Sequence, residues 1–306
     1  MYEEFRPLLF SIAYRMVGSV SEAEDIVQEA FLRVHRAGEE TNIDSPRAYL
    51  SQITTRLSIN HLKSARVRRE TYVGPWLPEP IATGPDQPET HAETADSLSM
   101  AFLVLLESLT PVERAVFLLR EVFDYDYGEI AAVVDKSEQN CRQIAARARR
   151  HVEEKRPRFE ASRTRREELA KRFFEAAREG EAEALLQLLA ADAVAYGDSG
   201  GKTPGIARPV YGREGVARLF LTLASRPVSG TSMRFTEING HPGFLLLDPE
   251  GKILIALALG IADDVVQTAW AIGNPEKLRH LGPVGDLWWL FDQKRRGPRP
   301  GAPGSA

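Results

Sequence analysis

The chain has 306 residues, 43% of them hydrophobic and 27% charged, with a formal net charge of −4. That is ordinary for a soluble protein of two or three domains, and it excludes a uniformly basic surface, so charge has to be read locally. The single cysteine, Cys141, excludes an intramolecular disulfide framework and a cysteine-based zinc site.

Residues 3 to 37 read as two helices. Leu8, Leu9, Ile12, Met16 and Val17 form an apolar stripe that Gly18 ends, and Ser21 is placed to cap the next helix with Glu24 three residues on. On that second helix Ala23, Ile26, Val27, Ala30, Phe31 and Val34 face a core, while Asp25, Gln28, Glu29 and Arg33 face outwards. A solvated amphipathic helix accounts for this pattern equally well without a function. After a polar loop, 38 to 44, Ser45-Pro46 opens another helix. It carries Tyr49, Leu50, Ile53, Leu57, Ile59 and Leu62 inwards. From Leu50 to Arg69 there are Arg56, Lys63, Arg66, Arg68 and Arg69 and no acid. The large Trp/Phe/Leu face of a membrane-binding helix is missing, so nucleic acid is the better partner. The longest apolar runs, 101 to 106 and 253 to 261, are too short to span a bilayer, and no signal peptide is recognisable at the start. The expectation is a cytoplasmic protein with no membrane contact.

Pro75, Pro78, Pro80, Pro85 and Pro88 make 71 to 96 a linker that forbids a regular helix or central strand. Trp76, Leu77 and Pro78 stand inside it, in the string WLPEP. A tryptophan is costly to expose, so Trp76 is expected to dock on something. The next unit spans 97 to 158, with Leu98 to Leu109 as its first helix. Thr110, Pro111 and Glu113 then spell a capping box, and Asp126 with Glu129 a second one. The helix after Asp126 buries Ile130 and Val133 or Val134 and breaks at Asp135-Lys136. Ser137 caps a third helix whose Ile144 and Ala148 face the core. Its other face offers Gln139, Asn140, Arg142, Gln143, Arg147, Arg149 and Arg150. A short helix, a turn and a second helix rich in Arg, Gln and Asn is the helix-turn-helix pattern. Such side chains read base edges bidentately and neutralise phosphates. A solvated helix in an ordinary bundle is the alternative. Cys141 lies on this helix, where a small buried side chain is expected rather than a redox sensor.

These motifs together, EDIVQEAFLRV, the basic helix after Ser45-Pro46, and TPVERAVFLLREVF through EIAAVVDKSEQNCRQIAARARR, resemble the bacterial extracytoplasmic-function (ECF) sigma factors over roughly residues 3 to 155. The resemblance implies that residues 1 to 70 melt and read the −10 element and that 97 to 158 read the −35 element. It implies RNA polymerase core (the β′ clamp helices and the β flap) and promoter DNA as partners. Asp25, Gln28 and Glu29 match the surface that docks on the clamp helices. The neighbourhood of Asn42 and Ser45 matches the pocket for a flipped non-template base, and Arg56, Asn60, Lys63 and Arg66 match the helix facing the −10 strand. Asn60 stands where many relatives have Asp.

A minimal factor of this kind would stop near Arg158. Here a charged connector, 159 to 166, leads into a further domain, 167 to 293. Leu169, Phe173, Phe174 and Ala177 mark one helix, ended by Gly180. Ala184, Leu185, Leu188 and Leu189 mark a second, and 212 to 224 a third. A strand is expected over Asp192 to Gly197, and four more over 233–239, 243–248, 252–260 and 265–272 in antiparallel succession, with Pro249-Glu250-Gly251 as a tight turn. Helices followed by a curved antiparallel sheet form an α+β architecture. The order resembles the SnoaL-like, ketosteroid-isomerase-like cone fold. WLPEP, DSGGK (Asp198 to Lys202) and NPEK (Asn274 to Lys277) resemble the marks of SigJ-type factors that carry such an extension, with Ser199 where glycine is usual. The resemblance implies that Trp76, Leu77, Pro78, Asp198, Lys202, Asn274 and Lys277 form contacts between linker and extension. Asp198 and Lys202, flanking glycines, read as a salt-bridged turn that grips the linker, as the alternative to a catalytic Asp198. Trp288 and Trp289 near Phe291 suit a core or interface. The tail, 294 to 306, is rich in Pro and Gly and is expected to be disordered.

The expectation is therefore a multidomain chain: two all-α sigma domains, the second with a helix-turn-helix, and a C-terminal α+β domain that regulates them. Asp198, His241 and Asp263 are the candidates for a general base in such a cone, but no oxyanion stabiliser accompanies them, and no catalytic residue, metal or cofactor is assigned. A small-molecule ligand in this domain is the further partner the fold allows. The rival readings are a DNA-binding regulator independent of polymerase and a cyclase- or isomerase-type enzyme fused to a DNA-binding module.

Overall fold

The computed structural model describes residues 2–37, 45–69, 72–83, 98–155, 162–225 and 228–296. The chain divides into two compact units: Met1–Thr71 with Asp86–Arg156, and Tyr72–Pro85 with Pro157–Ala306. The first half of the expected linker thus folds with the C-terminal residues. Asn42 and the tail beyond residue 296 lie outside the described residues, as do the side chains of Arg66, Arg68 and Arg69.

The first unit is all helical. Helices α1 (Tyr2–Val17), α2 (Val20–Ala37) and α3 (Pro46–Arg69) bury Leu9, Ile12, Met16, Ile26, Val27 and Leu50. The cap of α2 is Ser19 rather than Ser21: the Ser19 hydroxyl accepts the N–H of Glu22 at 3.3 Å. Both serines stand three residues before a glutamate, but Gly18 turns the chain at φ 69° and puts Ser19 first in line. Helices α4 (Met100–Leu106), α5 (Pro111–Glu121), α6 (Tyr127–Val134) and α7 (Glu138–Lys155) complete the unit. Both expected capping boxes form, Thr110 with Glu113 and Asp126 with Glu129. Val116, Leu119, Ile130, Val133, Cys141 and Ile144 share one core. Val133, not Val134, is the buried valine of α6. Cys141 is fully buried, and that burial pushes its thiol up, against a sensor role.

In the second unit α8 (Arg163–Glu179), α9 (Ala182–Leu188) and α10 (Arg213–Ala224) cover one face of a six-stranded sheet. Its strands are β1 (Leu189–Asp198), β2 (Val210–Tyr211), β3 (Ser232–Ile238), β4 (His241–Leu247), β5 (Ile253–Ala262) and β6 (Val265–Ile272), in the order β2-β1-β6-β5-β4-β3. Phe173, Leu185, Val216 and Phe220 of the helices meet Phe244, Leu257 and Leu259 of the sheet. This is the expected α+β arrangement with one correction. The sheet is mixed, because β1 runs parallel to β6. The crossover through α10 and the β3–β5 meander brings the chain back along β1 in the same direction. Leu189 begins β1 instead of ending α9. A final helix, α11 (Leu287–Arg296), packs Leu287 and Leu290 against Leu254, with Trp289 and Phe291 beside them. Trp288 is 55% exposed, so of the two expected places, core or interface, the core is excluded for it.

Candidate nucleic-acid interface and linker clasp

Helix α7 buries Cys141, Ile144, Ala145, Ala148 and Val152. At 3.6 residues per turn, Gln139, Asn140, Gln143, Arg147 and Arg150 fall within an arc of about 100° on the other side, and all five are exposed. Arg142 and Arg149 lie together to one side of that arc and are held to their own unit. Arg142 pairs with Glu138 at 3.1 Å and lies 4.5 Å over the Tyr127 ring. Arg149 pairs with Glu121 at 2.6 Å, which raises its pKa. Ser137 is a cap: its hydroxyl accepts the N–H of Asn140 at 3.3 Å. The seven polar side chains that the sequence brings forward therefore divide into five that face outward, unpaired with acids among the described residues, and two arginines held to their own unit.

On α2, Asp25 and Gln28 are exposed, and half-buried Glu29 takes a hydrogen bond from Arg33 at 2.7 Å, which lowers the glutamate pKa. Leu32 lies on the same face and is 40% exposed. On α3, Ser45 caps the helix through Ala48 at 3.3 Å. Arg56, Asn60 and Lys63 form an exposed stripe at helical spacing. Arg56 is engaged within the unit: its Nε donates to the Val133 carbonyl at 2.9 Å and its Nη2 to the Ala132 carbonyl at 2.6 Å.

In the second unit one carboxylate organises the linker. Asp198 ends β1 and is 1% exposed. Its Oδ1 accepts the Tyr72 hydroxyl at 2.5 Å; its Oδ2 accepts the Leu77 N–H at 2.8 Å and the Lys277 ammonium at 2.7 Å. Lys277 also donates to the Leu77 carbonyl and stands 4.1 Å over the Trp76 ring. Asn274 donates to the Tyr72 oxygen at 3.0 Å. Burial first, and then the Asp198 hydrogen bond, raise the Tyr72 pKa, so the phenol stays protonated and donates. The expected Asp198–Lys202 pair does not form. Asp198 pairs with Lys277, and Lys202 pairs with Glu276. Lys202 instead closes a turn back to Ser199, with its N–H on the Ser199 carbonyl at 3.0 Å.

Further along the linker, Leu77, Pro78, Glu79 and Pro80 are buried, and the Pro80 carbonyl meets the His280 ring at 2.6 Å. Ile81 and Thr83 then hydrogen-bond around the β3–β4 turn, with Ile81 N–H on Asn239 Oδ1 at 2.9 Å and Thr83 N–H on the Glu237 carbonyl at 3.0 Å. An extended peptide is held at both ends and in the middle. Gly200 makes this fit possible. Its φ is +57°, and a Cβ there would come within 2.5 Å of Asn274 Nδ2. Ser199 lies outside the left-handed region, so the departure from glycine carries no backbone penalty.

The three acid–base candidates do not converge. Asp198 holds the linker, and Asp263 is exposed in the β5–β6 turn at the other end of the sheet. His241 is buried beside Trp270, ring centroids 5.0 Å apart, and both its ring nitrogens are without a partner among the described residues.

Comparison with known proteins agrees with this anatomy. Residues 1–68 match sigma-70 region 2, and residues 99–152 match sigma-70 region 4. The chain is 36% identical over 287 residues to the ECF RNA polymerase sigma factor SigJ of Mycobacterium tuberculosis, covering 90% of this chain and 91% of the relative. It is 35% identical over 213 residues to the probable ECF RNA polymerase sigma factor SigI of the same organism, 69% of each chain. The crystal structure of M. tuberculosis SigJ superposes with a TM-score of 0.74 at 33% identity, over 93% of this chain and 99% of that one.

Proposed function

The chain belongs to the extracytoplasmic-function RNA polymerase sigma factors, and from that premise we propose how its residues divide promoter recognition and transcription initiation. Asp25, Gln28 and Glu29, with Leu32 among them, dock on the β′ clamp helices of core polymerase in the cytoplasm, and region 4 meets the β flap. Arg56, Asn60, Lys63 and Arg66 follow the backbone of the opened −10 strand, with Asn42 and Ser45 beside the flipped base. Extruding a base costs a few kcal/mol, and phosphate contacts from the basic stripe offset it. Gln139, Asn140, Gln143, Arg147 and Arg150 read the −35 major groove, while Ser137, Arg142 and Arg149 set the pose of α7. The observation that carries this reading is the outward arc of α7, opposite a fully apolar inner face.

The C-terminal unit acts on transcription through the linker. Tyr72, Trp76 and Leu77, with Pro78 buried after them, are gripped by Asp198, Asn274 and Lys277, and Lys202 braces the clasp through Glu276. A gripped linker limits the separations that the two DNA readers can take and sets their effective concentration for one another. A cavity of about 690 Å³ adjoins the clasp, lined by Lys202, Thr203, Asp248, Lys252, Trp288 and Trp289 among others. A small-molecule ligand of this unit would sit there, one wall away from Asn274 and Lys277.

Run-off transcription with purified core polymerase tests both parts. The full-length chain is expected to support initiation, and charge reversal at Asp25 to abolish it together with core binding. Trp76→Ala is expected to change output without loss of core binding. A chain that never associates with core polymerase would end the first part, and unchanged output from Trp76→Ala would end the second.

A further inference from the structure

We propose that the cavity beside the clasp is a groove for this chain's own C-terminal tail, with Pro298 to Pro303 laid across Trp288 and Trp289 and Arg299 set among carboxylates. The proposal rests on the reading of that cavity as the binding site of the C-terminal unit, and it names the occupant. Trp288 lies in the first turn of α11. Its Nε1–H donates to the Lys202 carbonyl at 3.2 Å, yet the residue stays 55% exposed. An indole fixed by its polar edge, with its apolar body uncovered, is a rigid platform whose contact area is unused. Trp289, Pro249 and Pro275 line the same cavity. Its charge is unbalanced. Of the lysines on its wall, Lys202 pairs with Glu276, and Lys252 with Glu250 at 2.5 Å. Asp248 and Asp286 are left over. The first accepts the N–H groups of Glu250 and Lys252 at 2.9 and 2.8 Å, and the second that of Trp288 at 2.9 Å; neither closes a salt bridge among the described residues. An aromatic groove with two surplus carboxylates suits an apolar segment that carries a cation.

The ten residues that follow α11, GPRPGAPGSA, have that chemistry. They hold Pro298, Pro300 and Pro303, with Arg299 as the cation and no acid from Gly297 to Ala306. Proline keeps φ within the polyproline II range, so such a segment loses little entropy when it docks, and three residues per turn put Pro300 and Pro303 on one edge. Aromatic-lined grooves take up such edges. The reach fits as well. Trp288 lies eight residues before Arg296, about 12 Å back along a helix that rises 1.5 Å per residue. At about 3.1 Å per residue, a polyproline II segment covers the same distance in four residues, from Arg296 to Pro300. Gly297 permits the reversal. The tail then runs back beside α11, Pro300 comes level with Trp288, and Arg299 lies within a side chain's length of Asp286. A filled groove braces the clasp, because Trp288 holds the Lys202 carbonyl and Thr203 Oγ1 donates to the Gly273 carbonyl at 2.9 Å, next to Asn274. A small-molecule ligand of this cavity has to displace the tail first.

The test compares the full-length chain with one that ends at Arg296. It reads the indole N–H signals of Trp288 and Trp289 in two-dimensional NMR spectra and uses a synthetic peptide of residues 297–306 as the probe. Removing the tail is expected to shift both signals. The peptide is expected to restore them in the shortened chain and to bind the full-length chain at least tenfold more weakly, because the groove is filled there. Arg299→Glu in the peptide is expected to weaken binding at least tenfold. Signals that ignore the loss of the tail, a peptide that binds both chains equally, or equal affinity of the two peptides would overturn the proposal. So would light scattering that finds the full-length chain dimeric and the shortened one monomeric, since the groove would then hold the tail of a second copy. Small molecules that shift Trp288 equally in both chains would keep the cavity as a ligand site and remove the tail from it. None of these readouts involves polymerase or the linker, so a failed run-off assay would count against the sigma assignments and leave the tail in its groove.

Discussion

Lys277 Nζ lies 2.7 Å from Asp198 Oδ2, with the two side chains 7% and 0% exposed, and the same oxygen receives the Leu77 amide. A buried ion pair of this kind is compensated only while every partner is present. The linker is therefore part of the electrostatics of the C-terminal unit, not an ornament on it.

Asp198→Asn should leave the Lys277 ammonium buried beside a neutral amide. Removing one partner of a buried pair costs about 3–5 kcal/mol. Urea unfolding of the C-terminal unit should show a loss of that order, and the Leu77 amide should lose its exchange protection at the same time. Stability lost with the Leu77 protection intact would mean that the pair supports the sheet and not the linker.

Gly200→Ala should cost about 1–3 kcal/mol, because it combines left-handed backbone with a Cβ against Asn274 and the Tyr72 hydroxyl, 2.5 and 3.0 Å away. Ser199→Gly should change stability by less than about 1 kcal/mol, through the entropy of the unfolded chain alone. Equal effects from the two substitutions would contradict the role given to Gly200.

His241 makes the acid limb of stability steep. Desolvation, with a smaller contribution from Arg166, lowers its pKa to about 3, against 6.5 when unfolded. The unfolded chain takes up this proton first as pH falls, so the contribution is complete above pH 6.5. It fades from there down to pH 3, by about 2 kcal/mol at pH 5 and roughly 5 kcal/mol in all. His241→Leu should flatten that slope in denaturant titrations repeated between pH 4 and 7. Superimposable pH profiles for the two proteins would show that the ring is solvated after all.

On α7, Arg147→Ala or Gln143→Ala should relax preference at single −35 positions by about 1–3 kcal/mol each if they contact bases. Arg149→Ala should weaken binding across all promoter variants alike, since its exposed partner is Glu121 and such pairs contribute about 0–1 kcal/mol. Competition binding of holoenzyme to −35 variants distinguishes the two patterns. The proposal that this side of α2 meets the clamp is checked with Leu32→Asp, which should weaken core binding at least tenfold while leaving the helical circular dichroism unchanged.

What the sequence disclosed is what short-range chemistry decides. The boxes at Thr110 and Asp126 depend on residues three apart, and the buried face of α7 on helical period. Where two serines offered the same cap, only the Gly18 turn chose between them. Long-range pairing was out of reach. Nothing in the composition tells Lys277 from Lys202 as the partner of Asp198, 79 residues away in one case and four in the other, so proximity in the chain misled. Nor could Arg56 be foreseen on the end of α6, because the basic side chains of one helix look alike until an acceptor is found. The parallel direction of β1 belongs to the same class, since strand period carries no sense of direction.

That direction has a consequence of its own. Two neighbouring strands that point the same way deliver their exits to one rim of the sheet, so DSGGK after β1 and NPEK after β6 emerge side by side. Reversing β1 would carry the aspartate to the opposite rim, about 25 Å away for an eight-residue strand. A five-residue peptide reaches at most about 18 Å, so WLPEP could then touch one motif or the other but never both. Fusion of a sheet domain to this kind of factor is thus useful only in topologies whose loops share an edge, and that is a criterion for finding or building others.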